Sequence, residues 1–418
     1  MGVLSALLFA FVYFASAAAT AGSATHYSVK LTPDLEHRVM RGEEQIEFER
    51  DSGNVEWQKQ PGLHIGGMKC PDGEVTSDDT SLRVRLAAGG KHVARFEYTA
   101  AAARGIRWFD GGAGFATAFY CDTWMICDNS PAQRATLRLE IVFPAASGLR
   151  AVGPGQLTKQ FEDKEGAHFV FEQSEPVQTY LFSFAVAKLD PSVEEKFRLY
   201  AKAAGHKAAL AKTSDAYAFL LSKASVDPID SEYGQAFLPL PTGFGQEVAG
   251  LALMSEQYLS DLEQKDDAAL MTHELAHQWW GALVGVRSWS DFWLNEGMAE
   301  FMSAAYLEKH QGKAAYEQKI AENRARLAEL REQGKDRPLH WEGWKDAHDA
   351  LGAIPYVKGI LFLDRLRTEL GPEKFWKGIA LYTSRNAGRL VDSRDFQRAM
   401  EEASGRDLKA LFDEAVYH

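Results

Sequence analysis

His273, Glu274 and His277 stand together in Met271-Thr-His-Glu-Leu-Ala-His-Gln-Trp-Trp-Gly281. An eighteen-residue spacer, 278–295, leads to Glu296 in Trp293-Leu-Asn-Glu-Gly-Met-Ala-Glu300. On a helix, histidines at i and i+4 project from one face a turn apart, so the two imidazoles can meet a single tetrahedral ion, with Glu296 as third ligand. Glu274 then reaches beside the metal instead of onto it. A carboxylate in that place can take a proton from a water that the metal has acidified. Two imidazoles, one carboxylate and an open position favour one zinc ion per chain, and the chemistry implied is hydrolysis.

These segments resemble the gluzincin aminopeptidases, the family that includes aminopeptidase N and the leukotriene hydrolase. The likeness covers H-E-L-A-H-Q-W-W-G, the spacer and W-L-N-E-G-x-A-E, and continues to Tyr356-Val-Lys-Gly359. It implies His273, His277 and Glu296 as zinc ligands, Glu274 as general base, and Tyr356 as the hydroxyl that stabilises the tetrahedral oxyanion. The family's amine-binding glutamate lies in a Gly-x-Met-Glu-Asn segment before the metal motif. Here the chain reads Gly243-Phe-Gly-Gln-Glu-Val-Ala-Gly250, so Glu247 and Gly250 fit while Gln246 replaces the methionine and Val248 the asparagine. Gly245, Gln246 and Glu247 are the expected substrate-binding residues, their exposed backbone pairing with the peptide as an added strand.

Two departures from the family pattern bear on specificity. Relatives bring a Gln or Glu from a Thr-Gln-x-Glu type segment of the first domain, where this chain has Thr117-Ala-Phe-Tyr120; either Glu247 works with Tyr120 or Asp122, or amine recognition is weaker than in relatives. Cys127-Asp-Asn-Ser-Pro131 is similar to a divergent form of a nearby family block. Longer relatives continue past the point matching His418 into a helical domain, so the resemblance implies a more open cleft. His348, eight residues before Tyr356, stands where the leukotriene hydrolase carries an acid, which disfavours epoxide hydrolysis.

The elements that must position these groups follow from patterning. Before Asp190-Pro191, alternating segments such as Ser81–Leu86, Ala135–Phe143 and Thr179–Val186 read as strands, and the Gly- and Pro-rich punctuation between them fits hairpins. After it, Ala201–Lys223 is alanine-rich and helical, Gln235–Leu240 a short strand, and the remainder mainly helix. The fold expected is multidomain α+β: a β-rich, sandwich-like domain over 25–190, then a thermolysin-like, mainly helical domain over 191–418. Asp266-Asp267 opens the first metal helix and Gly281 suits its end, Asp291 can cap the second, and Glu300 can accept a hydrogen bond from a ligand histidine. Trp279, Trp280, Trp289 and Trp293 are expected in core and cleft packing.

Residues 1–24 read as a signal peptide: Val3–Phe14 is nearly continuous apolar sequence, followed by small residues that offer several cleavage sites. An exported, periplasmic or extracellular protein is expected, with no stable membrane span after cleavage. Of three cysteines, Cys121 and Cys127 are close enough to bridge, a buried free thiol pair being the other reading, and Cys70 is odd. At 46% hydrophobic and 25% charged the chain is not disordered, and its formal net charge of −12 argues against a nucleic-acid partner. The expected partners are peptides with a free N-terminal amine. An endopeptidase without amine recognition, or a binding protein on the same fold, are the alternatives.

Overall fold

The computed structural model describes residues 20–21, 24–50, 52–101, 104–344 and 347–418. Of the expected leader, residues 1–19 and 22–23 lie outside the described residues, while Thr20–Ala21 form a short strand parallel to Gly53–Gln58. The side chain of His348 also lies outside them.

The first part of the chain is built on a seven-stranded mixed sheet. Its order is Gln156–Glu162, Ala167–Gln178, Arg134–Phe143, Ala24–Asp34, Val39–Arg50, Gly90–Ala101, Leu63–Lys69. Alternation makes one face of each central strand apolar: Tyr27, Val29 and Leu31 are buried, as are Ile46, Phe48, Ala94, Phe96 and Tyr98. A four-stranded sheet containing Gly53–Gln58 and Ser81–Leu86 closes over part of this face through Trp57, whose ring sits 5.4 Å from that of Phe48 and 6.3 Å from that of Phe96. A second four-stranded sheet carries Ile106–Trp108, Gly114–Thr117, Arg150–Val152 and Ala185–Ala187.

One expected strand is corrected. Thr179–Val186 is not extended throughout: Thr179–Leu181 forms a 3-10 turn, and only Ala185–Ala187 is strand. Every residue from Val177 to Ala187 is buried, so the apparent alternation has no solvent face to report. The segment runs through the seam between the two parts of the chain, where Leu181 O accepts a hydrogen bond from Ala249 N.

The second part opens on a five-stranded sheet, ordered Asp190–Glu194, Phe197–Ala201, Tyr233–Leu238, Leu251–Ser255, Gly245–Val248. Gly245–Val248 is its antiparallel edge. Ten helices follow or interleave among the described residues. They are α1 Lys207–Ala224, α2 Glu256–Gln264, α3 Ala269–Ala276, α4 Trp293–Gln311, α5 Lys313–Glu332, α6 Ala347–Ala350, α7 Ala353–Leu370, α8 Pro372–Arg385, α9 Ser393–Ser404 and α10 Lys409–Ala415. Helix α1 starts six residues later than the alanine enrichment suggested, because Phe197–Ala201 completes a strand paired with Tyr233–Leu238. The chain contains no described helix long and apolar enough to cross a membrane.

Tryptophan fixes the helical layer. Trp279, Trp280 and Trp293 are fully buried, and each donates its indole N–H: to Val226 O, Thr383 Oγ1 and Ser393 Oγ respectively. Burying an indole while satisfying its one donor sets both depth and orientation. Cys121 and Cys127 form a disulfide, and Cys70 is buried and free.

Candidate active site

Helix α3 is short and buried, and its ends are set by specific groups. Asp267 Oδ1 accepts from Ala269 N at 3.1 Å, holding the start of the helix beside a carboxylate. The helix ends at Ala276, and the chain turns through Gly281 at φ 152°, where a Cβ would stand 2.9 Å from His277 O. Helix α4 begins differently from expectation. Asp291 does not cap it; its Oδ1 instead accepts from Ser393 N and Oγ and pairs with His340, tying α4 to α9.

These helices bring His273, His277 and Glu296 together at van der Waals contact. The two Nε2 atoms are 3.1 Å apart, and Glu296 Oε2 lies 3.3 Å from His273 Nε2 and 3.4 Å from His277 Nε2. A tetrahedral zinc with bonds of about 2.0–2.1 Å has ligand–ligand edges of about 3.3 Å, so the donor set has the right size and type for that ion. The tautomer of His277 is also right: Nδ1–H donates to Trp280 O at 3.1 Å, leaving the Nε2 lone pair inward. All three ligands are buried. Burial would raise the Glu296 carboxyl, but the adjoining His277 and His273 hold it below the usual carboxylate range. Against the same burial, the carboxylates Glu296 and Glu247 lift His277 to about 9.

Glu274 projects from α3 towards the edge strand. Gly245 makes that approach possible, since a Cβ there would fall 2.1 Å from Glu274 Oε1. Burial pushes the Glu274 carboxyl well up, and the neighbouring carboxylates Glu247 and Glu296 add to the effect. Its Oε2 is buried without a hydrogen-bond partner.

Glu247 lies on the same strand and is 5% exposed. Gln246 Nε2 donates to its Oε2 at 3.0 Å, while Oε1 has no partner. Burial, with Glu296 nearby, raises Glu247 to about 7 despite the pull of His277. A buried carboxylate with a vacant acceptor is suited to a cationic guest.

Tyr356 enters from the first turn of α7. Its ring is parallel to that of His273, 6.0 Å between centroids, and burial, with the charges of Glu296, Glu247 and Glu274, pushes its hydroxyl pKa well up. Gly245, Gln246, Glu247, His273, Glu274, Glu296 and Tyr356 all line one cavity of about 530 Å³.

Of the two readings of the first domain's contribution, the one that pairs Glu247 with Tyr120 or Asp122 is corrected. Asp122 accepts from Gln60 Nε2 at 2.7 Å and, with Tyr120, lines a different cavity beside Arg104 and Trp289, so neither faces Glu247. The group that the first part of the chain does bring close is Tyr180, buried in the 3-10 turn. Its hydroxyl accepts from Asn295 Nδ2 at 2.8 Å, and burial, with the charges of Glu247 and Glu296, pushes its pKa well up.

Two further contributors had no role in the sequence reading. Gln278, next to His277, clamps the edge strand to the metal helix: Oε1 accepts from Gly250 N at 2.9 Å and Nε2 donates to Val248 O at 3.1 Å. Lys319, on α5, lines the cavity and pairs with Glu300 at 3.1 Å. Gln278 lay inside the quoted motif, but nothing local distinguishes a clamp from a surface amide.

Residues 247–414 match the model of the peptidase family M1 domain. The chain is 28% identical over 313 residues to aminopeptidase N of Lactococcus lactis subsp. lactis, covering 69% of this chain and 36% of that protein. It is 27% identical over 296 residues to leucine aminopeptidase 2 of Ajellomyces capsulatus, covering 68% and 47%. The chain thus spans between about a third and a half of the length of these curated relatives. The crystal structure of an M1 zinc metallopeptidase from Deinococcus radiodurans shares the fold, with a TM-score of 0.81, 21% identity and coverage of 95% of this chain and 94% of that one. A mutant of it bound to a Tyr-Ser-Ala substrate aligns at a TM-score of 0.79, also at 21% identity, over 94% of each chain.

Proposed function

We propose that this chain belongs to peptidase family M1, whose domain model matches residues 247–414, and that it is a zinc-dependent aminopeptidase removing N-terminal residues from peptides. The observation that carries the reading is the triangle of His273 Nε2, His277 Nε2 and Glu296 Oε2, with edges of 3.1–3.4 Å, beside two buried carboxylates that each keep an oxygen without a partner. Bound there, zinc supplies a Lewis acid that acidifies water and polarises a carbonyl.

The chain's own residues supply the rest. Glu274 Oε2 accepts the proton of the attacking water and returns it to the departing amine, a task suited to a carboxyl whose pKa burial pushes up. Tyr356 donates its hydroxyl hydrogen to the carbonyl oxygen as negative charge develops on it. Glu247 receives the substrate ammonium at Oε1, and Gly245–Val248 offers edge-strand backbone to align the peptide. Polar atoms of Glu247, Glu274 and His277 lie within 4.8 Å of one another, so an ammonium on Glu247 brings the first peptide bond beside Glu274.

Export to an oxidising compartment is part of the proposal. The apolar run Val3–Phe14 and the Cys121–Cys127 bridge support it. Mass spectrometry of the mature protein's N-terminus, with fractionation of the producing cells, tests this separately.

The activity is tested with purified enzyme on tripeptides with a free amine and on the same tripeptides N-acetylated. The proposal expects release of the first residue from the free peptides alone, abolished by a zinc chelator and restored by zinc. Equal cleavage of blocked and free peptides makes the protein an endopeptidase; no cleavage of either, with zinc bound, makes it a binding protein.

A further inference from the structure

Lys319 is the one lysine or arginine among the described residues lining the active-site cavity, against the acids Glu247, Asp261, Asp267, Glu274, Glu296 and Glu300. It comes from α5, which carries none of the family-like motifs. Its ammonium does not point at the vacant oxygens of Glu247 or Glu274; it pairs at 3.1 Å with Glu300 Oε2. The other oxygen of Glu300, Oε1, stands 3.5 Å from His273 Nδ1. That nitrogen is buried and has no hydrogen-bond partner, whereas the matching nitrogen of His277 has Trp280 O.

A buried imidazole nitrogen left without a partner is costly, and a histidine that offers Nε2 to a metal must carry its proton on Nδ1. Glu300 Oε1 is the carboxylate oxygen within a few tenths of an ångström of accepting that proton in a hydrogen bond. Glu296 and Glu274 line the same cavity, and their like charges push the Glu300 carboxylate away from that place. The Lys319 ammonium opposes that repulsion. With a side chain 27% exposed, the ammonium is partly withdrawn from water, so the pair is less screened than a surface ion pair.

We propose that Lys319 is a positioning residue for the metal site, acting through Glu300 to hold His273 with its proton on Nδ1 and its Nε2 lone pair directed at the ion. The inference rests on the zinc reading of the site. Lys319 touches neither substrate nor metal in this account, and its effect is on how tightly and how persistently the ion is held.

The test is the zinc dissociation constant, measured by competition with a chromophoric chelator on full-length wild type, Lys319→Met, Lys319→Arg, Glu300→Gln and the Lys319→Met/Glu300→Gln double variant. Outer partners of a ligand histidine typically change metal affinity by about 10–100-fold. We expect Glu300→Gln to weaken zinc within that range, Lys319→Met to weaken it about tenfold, and Lys319→Arg to restore most of the loss. Added to Glu300→Gln, Lys319→Met should change nothing further. Unfolding curves of the zinc-free proteins separate these effects from loss of the fold. A wild-type dissociation constant for Lys319→Met, or losses that multiply in the double variant, overturns the proposal. If Lys319→Met leaves zinc binding intact and raises KM for peptides with a free C-terminal carboxylate, Lys319 contacts substrate instead. Failure of the wild type itself to bind one zinc would count against the function, a different result from either.

Discussion

Gly297 and Gly359 meet where α4 crosses α7: a methyl group built on Gly359 would stand 2.5 Å from the Gly297 Cα, and one on Gly297 would stand 2.7 Å from the Gly359 Cα. Gly297 follows Glu296, and Gly359 lies one turn after Tyr356. The two glycines therefore let the helices approach closely enough for Tyr356 and Glu296 to line the same cavity. Gly359→Ala should push α7 off α4, destabilising the protein by about 1–3 kcal/mol as overpacking usually does. Urea unfolding checks the stability, and turnover per zinc should fall because Tyr356 moves while His273 and His277 do not. Unchanged stability would mean the crossing has slack that the structure does not show.

Tyr356→Phe keeps the ring that lies parallel to His273 and removes only the hydroxyl. The expected outcome is normal zinc content and an intact fold, with kcat lowered by roughly 10²–10³, the cost of losing one oxyanion donor. Steady-state kinetics decide it. A kcat within a few-fold of wild type makes Tyr356 a packing residue.

Glu247→Ala should weaken free-amine substrates by about 2–5 kcal/mol in kcat/KM, the usual effect of removing one member of a buried charge pair. The informative comparison is with N-acetylated substrates, on which wild type and variant should be equally poor. A variant as good as wild type on free amines removes Glu247 from substrate recognition and leaves its vacant oxygen unexplained.

Away from the site, His168 joins two carboxylates on the outer sheet, 2.9 Å from Glu140 Oε1 and 2.8 Å from Asp163 Oδ1. Burial would lower its pKa, but the two hydrogen bonds outweigh this and the value is raised, while both carboxyls are lowered. A raised histidine contributes stability that is complete below its unfolded value of about 6.5 and is lost as pH rises through the folded value. The carboxylates contribute above their unfolded values and lose it as pH falls. Thermal melts of wild type and His168→Gln should therefore differ most between the carboxylates' unfolded values and about pH 6.5, and converge as pH rises through the raised histidine value. A difference independent of pH would reduce the cluster to packing.

How much of this was legible in the sequence depends on the range of the interaction. His273 and His277 could be read because a single helical turn relates them, and the resemblance carried Glu274, Glu296, Tyr356 and Glu247 to positions that line one cavity. The strands at Ser81–Leu86 and Arg134–Phe143 alternate because one face meets solvent. Thr179–Val186 misled for the opposite reason, being buried on all sides at the seam. The Gln278 clamp, the Tyr180–Asn295 bond and the Lys319–Glu300 pair join residues that no period relates. Asp291 looked like a helix cap because it precedes α4, and only the fold reveals Ser393 as its partner.

Metal analysis of Glu274→Gln alongside its turnover addresses the central claim most directly, because the account separates holding the ion from moving the proton. Glu274 is not one of the atoms of the 3.1–3.4 Å triangle, so the variant should retain one zinc per chain. Its hydrolysis of a free-amine tripeptide should fall by about 10²–10⁴, the range for losing a general base. Retained turnover in the zinc-loaded variant, or loss of the zinc with the base, would contradict the account.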